Sequence, residues 1–104
     1  MVLSVKDRIL ILNILPQKSD IVTLRVVREL GETISFTETD IEKYKIKTHN
    51  DIHTWDITVD QDAEFKIGQA ALGIIVSELK KLSDNKELTM DMIDLYKKFV
   101  ESPE

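Results

Sequence analysis

The chain has 104 residues, 42% hydrophobic and 32% charged, with no cysteine and a formal net charge of −5. These values describe a single folded domain, residues 1–104, and exclude a disordered tail, a disulfide scaffold, a thiolate zinc site and a cysteine nucleophile. So small a domain has few residues to wall off a deep catalytic cavity, and its excess negative charge repels nucleic acid and anionic membrane while attracting a basic partner.

The opening Met1 to Arg8 places Lys6, Asp7 and Arg8 ahead of the apolar run Ile9 to Leu12, with Pro16 following. That pattern fits neither a signal peptide nor a bilayer span, so the expected location is the cytoplasm. Ser4 with Asp7 is a short-side-chain capping box, predicting a helix that runs to about Leu15, where Pro16 stops it. Ile9, Leu10, Ile11, Leu12, Ile14 and Leu15 cover most of this helix's circumference, more than a single-sided surface helix requires. It is expected to be the central helix or part of a dimer interface, with Leu10 and Ile14, four apart on one stripe, as the exposed self-association side.

Ser19 or Asp20 caps a second helix with Ile21, Leu24, Val27 and Leu30 near one stripe, and Gly31 weakens its end. Thr37 starts a third, shorter helix: Asp40 completes a capping box, and Phe36 and Ile41 fall at hydrophobic-staple spacing. From Tyr44 the period changes to two. Tyr44, Ile46 and Thr48 share one face, Trp55, Ile57 and Val59 another, and Asn50-Asp51 supplies a tight turn. That turn sets Ile46 opposite Trp55, Tyr44 opposite Ile57, Thr48 opposite His53 and His49 opposite Ile52. Ala63 to Ile67 alternates again as a short third strand.

Gly68 opens a fourth helix to about Ser83, with Ile67, Ala71, Ile74, Ile75, Leu79 and Leu82 as its buried stripe. After the turn Asp84-Asn85-Lys86, Thr89 caps a final helix in which Ile93, Tyr96, Phe99 and Val100 share a face and Leu88 and Ile93 stand at staple spacing. The expected fold class is α+β: about five helices with a central two- or three-stranded antiparallel sheet, in an order that resembles a winged-helix layout.

Several stretches resemble a group of short proteins encoded by bacterial phages and prophages: Ser4-Val5-Lys6-Asp7-Arg8 with Leu15-Pro16, and Thr23-Leu24 with Val27-Arg28-Glu29-Leu30. Ile67-Gly68 with Ala71, Ile74-Ile75-Val76 and Leu79-Lys80-Lys81-Leu82, and Leu95-Tyr96-Lys97-Lys98-Phe99-Val100, extend the likeness over nearly the whole chain. These are packing motifs. The resemblance implies a small intracellular viral accessory protein that binds another protein, and it carries no catalytic residues.

A winged-helix reading would put the third helix in a DNA major groove. Glu38, Asp40 and Glu42 on that helix, and Asp51 and Asp56 on the wing, oppose it, because DNA affinity depends on cations neutralising phosphates. Lys43, Lys45 and Lys47 are the local basic cluster, expected together on the solvent face of the first strand. Asp60, Asp62 and Glu64 match the opening of a calcium loop, but Phe65 and Ala71 stand where that loop needs Gly and a bidentate Glu. His49 and His53 with Asp51 lack a third ligand, and no triad order, phosphate loop or zinc-protease motif is present.

No catalytic residue, metal or cofactor is therefore expected. Trp55, the only tryptophan, is expected as the largest core residue, packing sheet on helix. The function expected is non-enzymatic binding of a protein partner. Residues 1–50 carry eight Lys/Arg against seven Asp/Glu and residues 51–104 six against twelve, so the acidity lies in the second half. Asp51, Asp56, Asp60, Asp62 and Glu64 are the candidate surface for a basic partner, and a homodimer through the first helix is the other mode. The alternative is a winged-helix-like nucleic-acid-binding regulator.

Overall fold

The computed structural model describes residues 1–50, 52–56, 58 and 62–101. Its elements, in chain order, are β1 (Val2–Leu3), α1 (Val5–Ile14), α2 (Ile21–Ile34), α3 (Glu38–Tyr44), β2 (Lys47–His49), β3 (Ile52–Thr54), β4 (Ala63–Glu64), α4 (Gln69–Asp84) and α5 (Ile93–Tyr96). A 3₁₀ turn, Met90–Met92, leads into α5, and a π-helical turn, Lys97–Glu101, follows it. The α+β class holds, with five helices and two separate two-stranded antiparallel sheets among the described residues, β1 with β4 and β2 with β3.

The helix starts follow local chemistry. Ser4 Oγ accepts from the Asp7 N–H, and the Asp7 carboxylate accepts from the Ser4 N–H at 3.0 Å, closing the box that starts α1. Thr37 and Asp40 do the same for α3, and Asp20 caps α2 by accepting from the Thr23 N–H. Each such cap satisfies an amide that would otherwise be orphaned, and losing one costs typically about 1 kcal/mol.

The core draws on β1, α1, α2, α4 and the C-terminal segment, and α4 is its axis. Ala71, Ile75 and Leu79, one turn apart, are buried along α4, which contacts α1, α2 and the C-terminal turn. Ile11 and Leu15 meet them from α1, Leu30 and Ile34 from α2, Leu95 and Phe99 from the C-terminal segment. Each fully buried aliphatic side chain contributes roughly 1.5–3 kcal/mol relative to exposure.

Two stripes differ from the 3.6-residue expectation. In α2, Leu30 is buried and Val27 packs against the core as expected, joined by Ile34, but Ile21 in the first turn is 63% exposed. In the last segment Phe99 is buried and Tyr96 and Val100 pack against the core as expected, but Ile93 is 40% exposed and Leu95 is buried, where the 3₁₀ and π-helical turns flanking α5 alter the rotation per residue that the pattern assumes.

The hairpin keeps the expected register, with Lys47 opposite Thr54, Thr48 opposite His53 and His49 opposite Ile52. Asn50 takes the positive φ of 50° that the turn demands. Its turn companion Asp51, and Ile57 and Val59 of the expected second strand, lie outside the described residues. Tyr44, however, is the buried last residue of α3 and not the start of a strand. Lys45 there turns left-handed, φ 52° and ψ 47°, and the Ile46 N–H donates to the Ile41 carbonyl at 3.1 Å. This six-residue closure ends the helix as a Schellman turn does. Lys43, Lys45 and Lys47 consequently sit in a helix, a cap and a strand, so they form no single strand face.

The third strand is also placed differently. Ala63–Glu64 pairs with β1, Val2 opposite Glu64 and Leu3 opposite Ala63, and does not extend the hairpin. Two residues at the start of a chain are too few to display a period, so β1 was not foreseeable from alternation.

One buried side chain ties three elements together. Arg8, 1% exposed, donates from Nε to the Ile34 carbonyl at 2.9 Å and from Nη2 to the Ser35 carbonyl at 2.9 Å and to Asp40 Oδ2 at 3.1 Å. Its guanidinium lies 4.1 Å from the centroid of the Phe36 ring and 4.8 Å from that of Phe65. Burial raises the Asp40 carboxyl, but the Thr37 N–H, Arg8 and the Thr37 hydroxyl outweigh it and hold the group below its ordinary 3.8.

Removing the guanidinium would leave Asp40 and two helix-end carbonyls without their buried donor. Arg8→Ala should therefore cost about 3–5 kcal/mol by urea unfolding, the range for breaking a buried pair from one side; a cost under about 1 kcal/mol would show that Arg8 is not a keystone. Lys45→Gly should instead stabilise the protein by about 1 kcal/mol, because glycine adopts the left-handed region without the steric penalty of a side chain. A loss of stability on that change would mean that α3 does not end at Tyr44.

Candidate functional site

The outer face of α1 forms the floor of a cleft. Ile9, Leu12 and Asn13 face Phe36 and Ile41 of the α3 region on one side and Ile46, Thr48 and His53 of the hairpin on the other, around a depression of about 270 Å³. A second depression of about 430 Å³ shares Ile9, Asn13 and His53 with the first and adds Lys6, Leu10, Trp55 and Asp91. The two depressions adjoin at these shared residues and are together called the cleft, lined by α1 and the hairpin. It is apolar in its floor and walls, polar where His53, Thr48 and Asn13 meet, and charged only at the Lys6 and Asp91 end.

The elements that frame it are fixed by features already described. The Thr37 box starts α3, and Phe36 precedes that cap under the Arg8 guanidinium, so the Phe36 and Ile41 pair at staple spacing forms a wall of the cleft. Ile41 remains 44% exposed. The hairpin is exposed at all six of its strand residues and is anchored beside α3, where the Asp56 N–H donates to the Tyr44 carbonyl at 2.7 Å. His53 Nδ1 lies 2.9 Å from Thr48 Oγ1, across the predicted pair.

The residues singled out from sequence fare differently. Leu10 and Ile14 are half-buried and pack against the core, so they are not an exposed flank. Leu10 also lines the second depression, whereas Ile14 lines neither. The excess apolar surface of α1 is absorbed in two directions, by the core and by the cleft. Trp55 is half-buried on the cleft and lies outside the core cluster, because the chain leaves the ladder at Thr54 before a core-facing position is reached.

Of the acidic set, Asp51 and Asp60 lie outside the described residues. Glu64 is on β4, where its Oε1 meets the Met1 ammonium at 2.9 Å. Asp56 accepts from the hydroxyl and the N–H of Thr58, which hold its carboxyl below the ordinary 3.8. Asp62 is exposed. Asp56 and Glu64 are thus engaged locally, one beside the hairpin and one in the other sheet.

Among the described residues no group of three or more His, Asp or Glu side chains could hold a metal ion, and no helix is long and apolar enough to cross a membrane. His49 and His53 are exposed on the hairpin. No known protein-family model, curated protein or solved structure matches this chain.

Sequence reasoning missed Ile9, Leu12, Ile46 and Asp91 as cleft residues. The staple signal at Phe36 and Ile41 was legible, but it could not say that a hairpin would stand opposite. Thr58→Val removes the hydroxyl that bonds Asp56, so the Asp56 carboxyl should titrate at higher pH than in the wild type when followed by NMR. An unchanged midpoint would show that this hydrogen bond does not operate in solution.

Proposed function

We propose that the chain is a non-enzymatic, protein-binding accessory protein of phage origin that works in the host cytoplasm and takes a polypeptide partner in the cleft over α1. The observation that carries this reading is the exposed apolar wall at Ile41, facing Ile46 of the hairpin above Ile9 and Leu12. Apolar surface framed by polar groups and left open by the chain's own packing is the usual form of a protein-recognition site, where a few anchors dominate affinity.

Two further features support a polypeptide over a polyanion. α3, the helix a winged-helix reader would insert in the major groove, exposes Glu38 and Glu42, which phosphates would repel. The hairpin that would act as a wing instead lines the cleft through Thr48 and His53.

Peptides selected from a random library on the immobilised protein test the reading. Their amide-shift perturbations should cluster at Ile9, Leu12, Phe36, Ile41 and Ile46, and Ile41→Asp should weaken binding about tenfold without lowering the melting temperature. The control pair Ile21→Asp and Val22→Asp, on an apolar patch remote in sequence from the cleft, should leave affinity unchanged. Perturbations that map to the Ile21 and Val22 patch, or full affinity in Ile41→Asp, would sink the cleft as the binding site.

A further inference from the structure

The second depression ends at the 3₁₀ turn before α5, and that turn presents an unusual combination. Met90 is 83% exposed, the most exposed large apolar side chain among the described residues, and Ile93 is 40% exposed. Asp91 lines the depression itself, and Asp94 follows it by three residues, which on a helical path places both carboxylates on one side. Both are exposed, and neither forms an ion pair among the described residues. From Asp84 to Asp94 the chain carries four acids, Asp84, Glu87, Asp91 and Asp94, against the single base Lys86. Lys6 lines the same depression, and Lys97 and Lys98 follow Asp94 by three and four residues, Lys98 being engaged by Asp7.

The chemistry of an occupant follows. The half-buried Ile9, Leu10 and Trp55 lining the depression, and the exposed Met90 and Ile93 flanking Asp91 in sequence, call for apolar side chains. Unpaired Asp91 and Asp94 call for cations next to them. An amphipathic segment rich in Lys or Arg meets both demands, whereas a second copy of this chain, with net charge −5, brings like charge to the same surface. Methionine suits such a surface because its unbranched, polarisable side chain adapts to differently shaped partners.

We infer that the Lys6 and Asp91 end of the cleft docks a cationic amphipathic polypeptide segment, anchored over Ile9, Leu10 and Trp55 and held at its rim by Asp91 and Asp94 beside Met90. This rests on the protein-binding reading and moves its acidic recognition from the hairpin and β4 carboxylates to the turn before α5.

Trp55 is the only tryptophan and lines this depression, so its fluorescence reports occupancy directly. The probes are a tryptophan-free amphipathic helix of leucine and lysine and its leucine and glutamate counterpart, titrated into the full chain at low and at moderate salt. The Leu/Lys helix should shift Trp55 emission and bind more weakly as salt rises, and the Leu/Glu helix should not bind. Asp91→Lys with Asp94→Lys should weaken the Leu/Lys helix at least tenfold and gain the Leu/Glu helix. Asp91→Asn with Asp94→Asn, which adds no new charge, should fall between, and Met90→Ser should weaken binding several-fold. Circular dichroism and melting temperature should be unchanged for these exposed positions.

Wild-type affinity for the Leu/Lys helix in both Asp91/Asp94 double variants overturns the inference. If Asp56→Lys, Asp62→Lys and Glu64→Lys together abolish binding instead, the acidic partner surface is the hairpin and β4 set, and the inference is again wrong. Loss in Ile41→Asp with no loss in the Asp91/Asp94 variants keeps the cleft as a binding site but removes its acidic rim, and the inference with it. Light scattering that reveals a dimer dissolved by the Leu/Lys helix would name the second copy as occupant and overturn the proposal.

Discussion

Everything in this architecture leans on a guanidinium that has left water. Burying an Arg is costly unless it is paired and hydrogen-bonded, and Arg8 is bonded from Nε and Nη2 to the carbonyls of Ile34 and Ser35 at the end of α2 and to the carboxylate that starts α3, with the rings of Phe36 and Phe65 against its guanidinium. Three consecutive elements are thereby held at one point. The Asp40 carboxylate serves the α3 capping box and Arg8 together, so the start of α3 and the seating of α1 are the same interaction.

Its neighbour in sequence extends the tie in the opposite direction. Asp7 is nearly buried, accepts from the Ser4 N–H in the α1 capping box, and meets Lys98 Nζ at 2.6 Å. Lys98 also donates to the Val2 carbonyl at 3.2 Å. Two adjacent residues of opposite charge thus fasten α1 to the junction of α2 and α3 and to the C-terminal segment. With α1 held between them, Ile11 faces the core and Ile9 faces outward under the hairpin, so the cleft is a by-product of how the buried charges are satisfied. A helix apolar around most of its circumference is reasonable once one flank belongs to the core and the other lines the cleft.

The hairpin contributes little to the core. A lone two-stranded ribbon is marginal in water, and this one relies on the end of α3, where Lys45 turns left-handed and the Tyr44 carbonyl accepts the Asp56 amide. That dependence places Ile46, His53 and Trp55 over α1 as a roof. The site is therefore assembled from four separate stretches of chain: α1, the α3 region, the hairpin and the turn before α5.

The sequence by itself determined what depends on near neighbours. The capping boxes at Ser4 and Thr37, the Asp20 cap, the stop after Leu15, the hairpin register about Asn50 and the α+β class were all legible, because caps, turns and periods are set by residues three or four apart. Only the tertiary structure decided what depends on distant partners. Tyr44 reads equally well as a strand residue until the Lys45 cap closes behind it. Val2–Leu3 becomes a strand only because Ala63–Glu64 lies beside it. Trp55 becomes a cleft residue because the ladder ends one residue earlier, and Arg8, which reads as a surface cation at a helix start, becomes the central tie because residues 26 to 32 positions away bring the oxygens that let it stay buried.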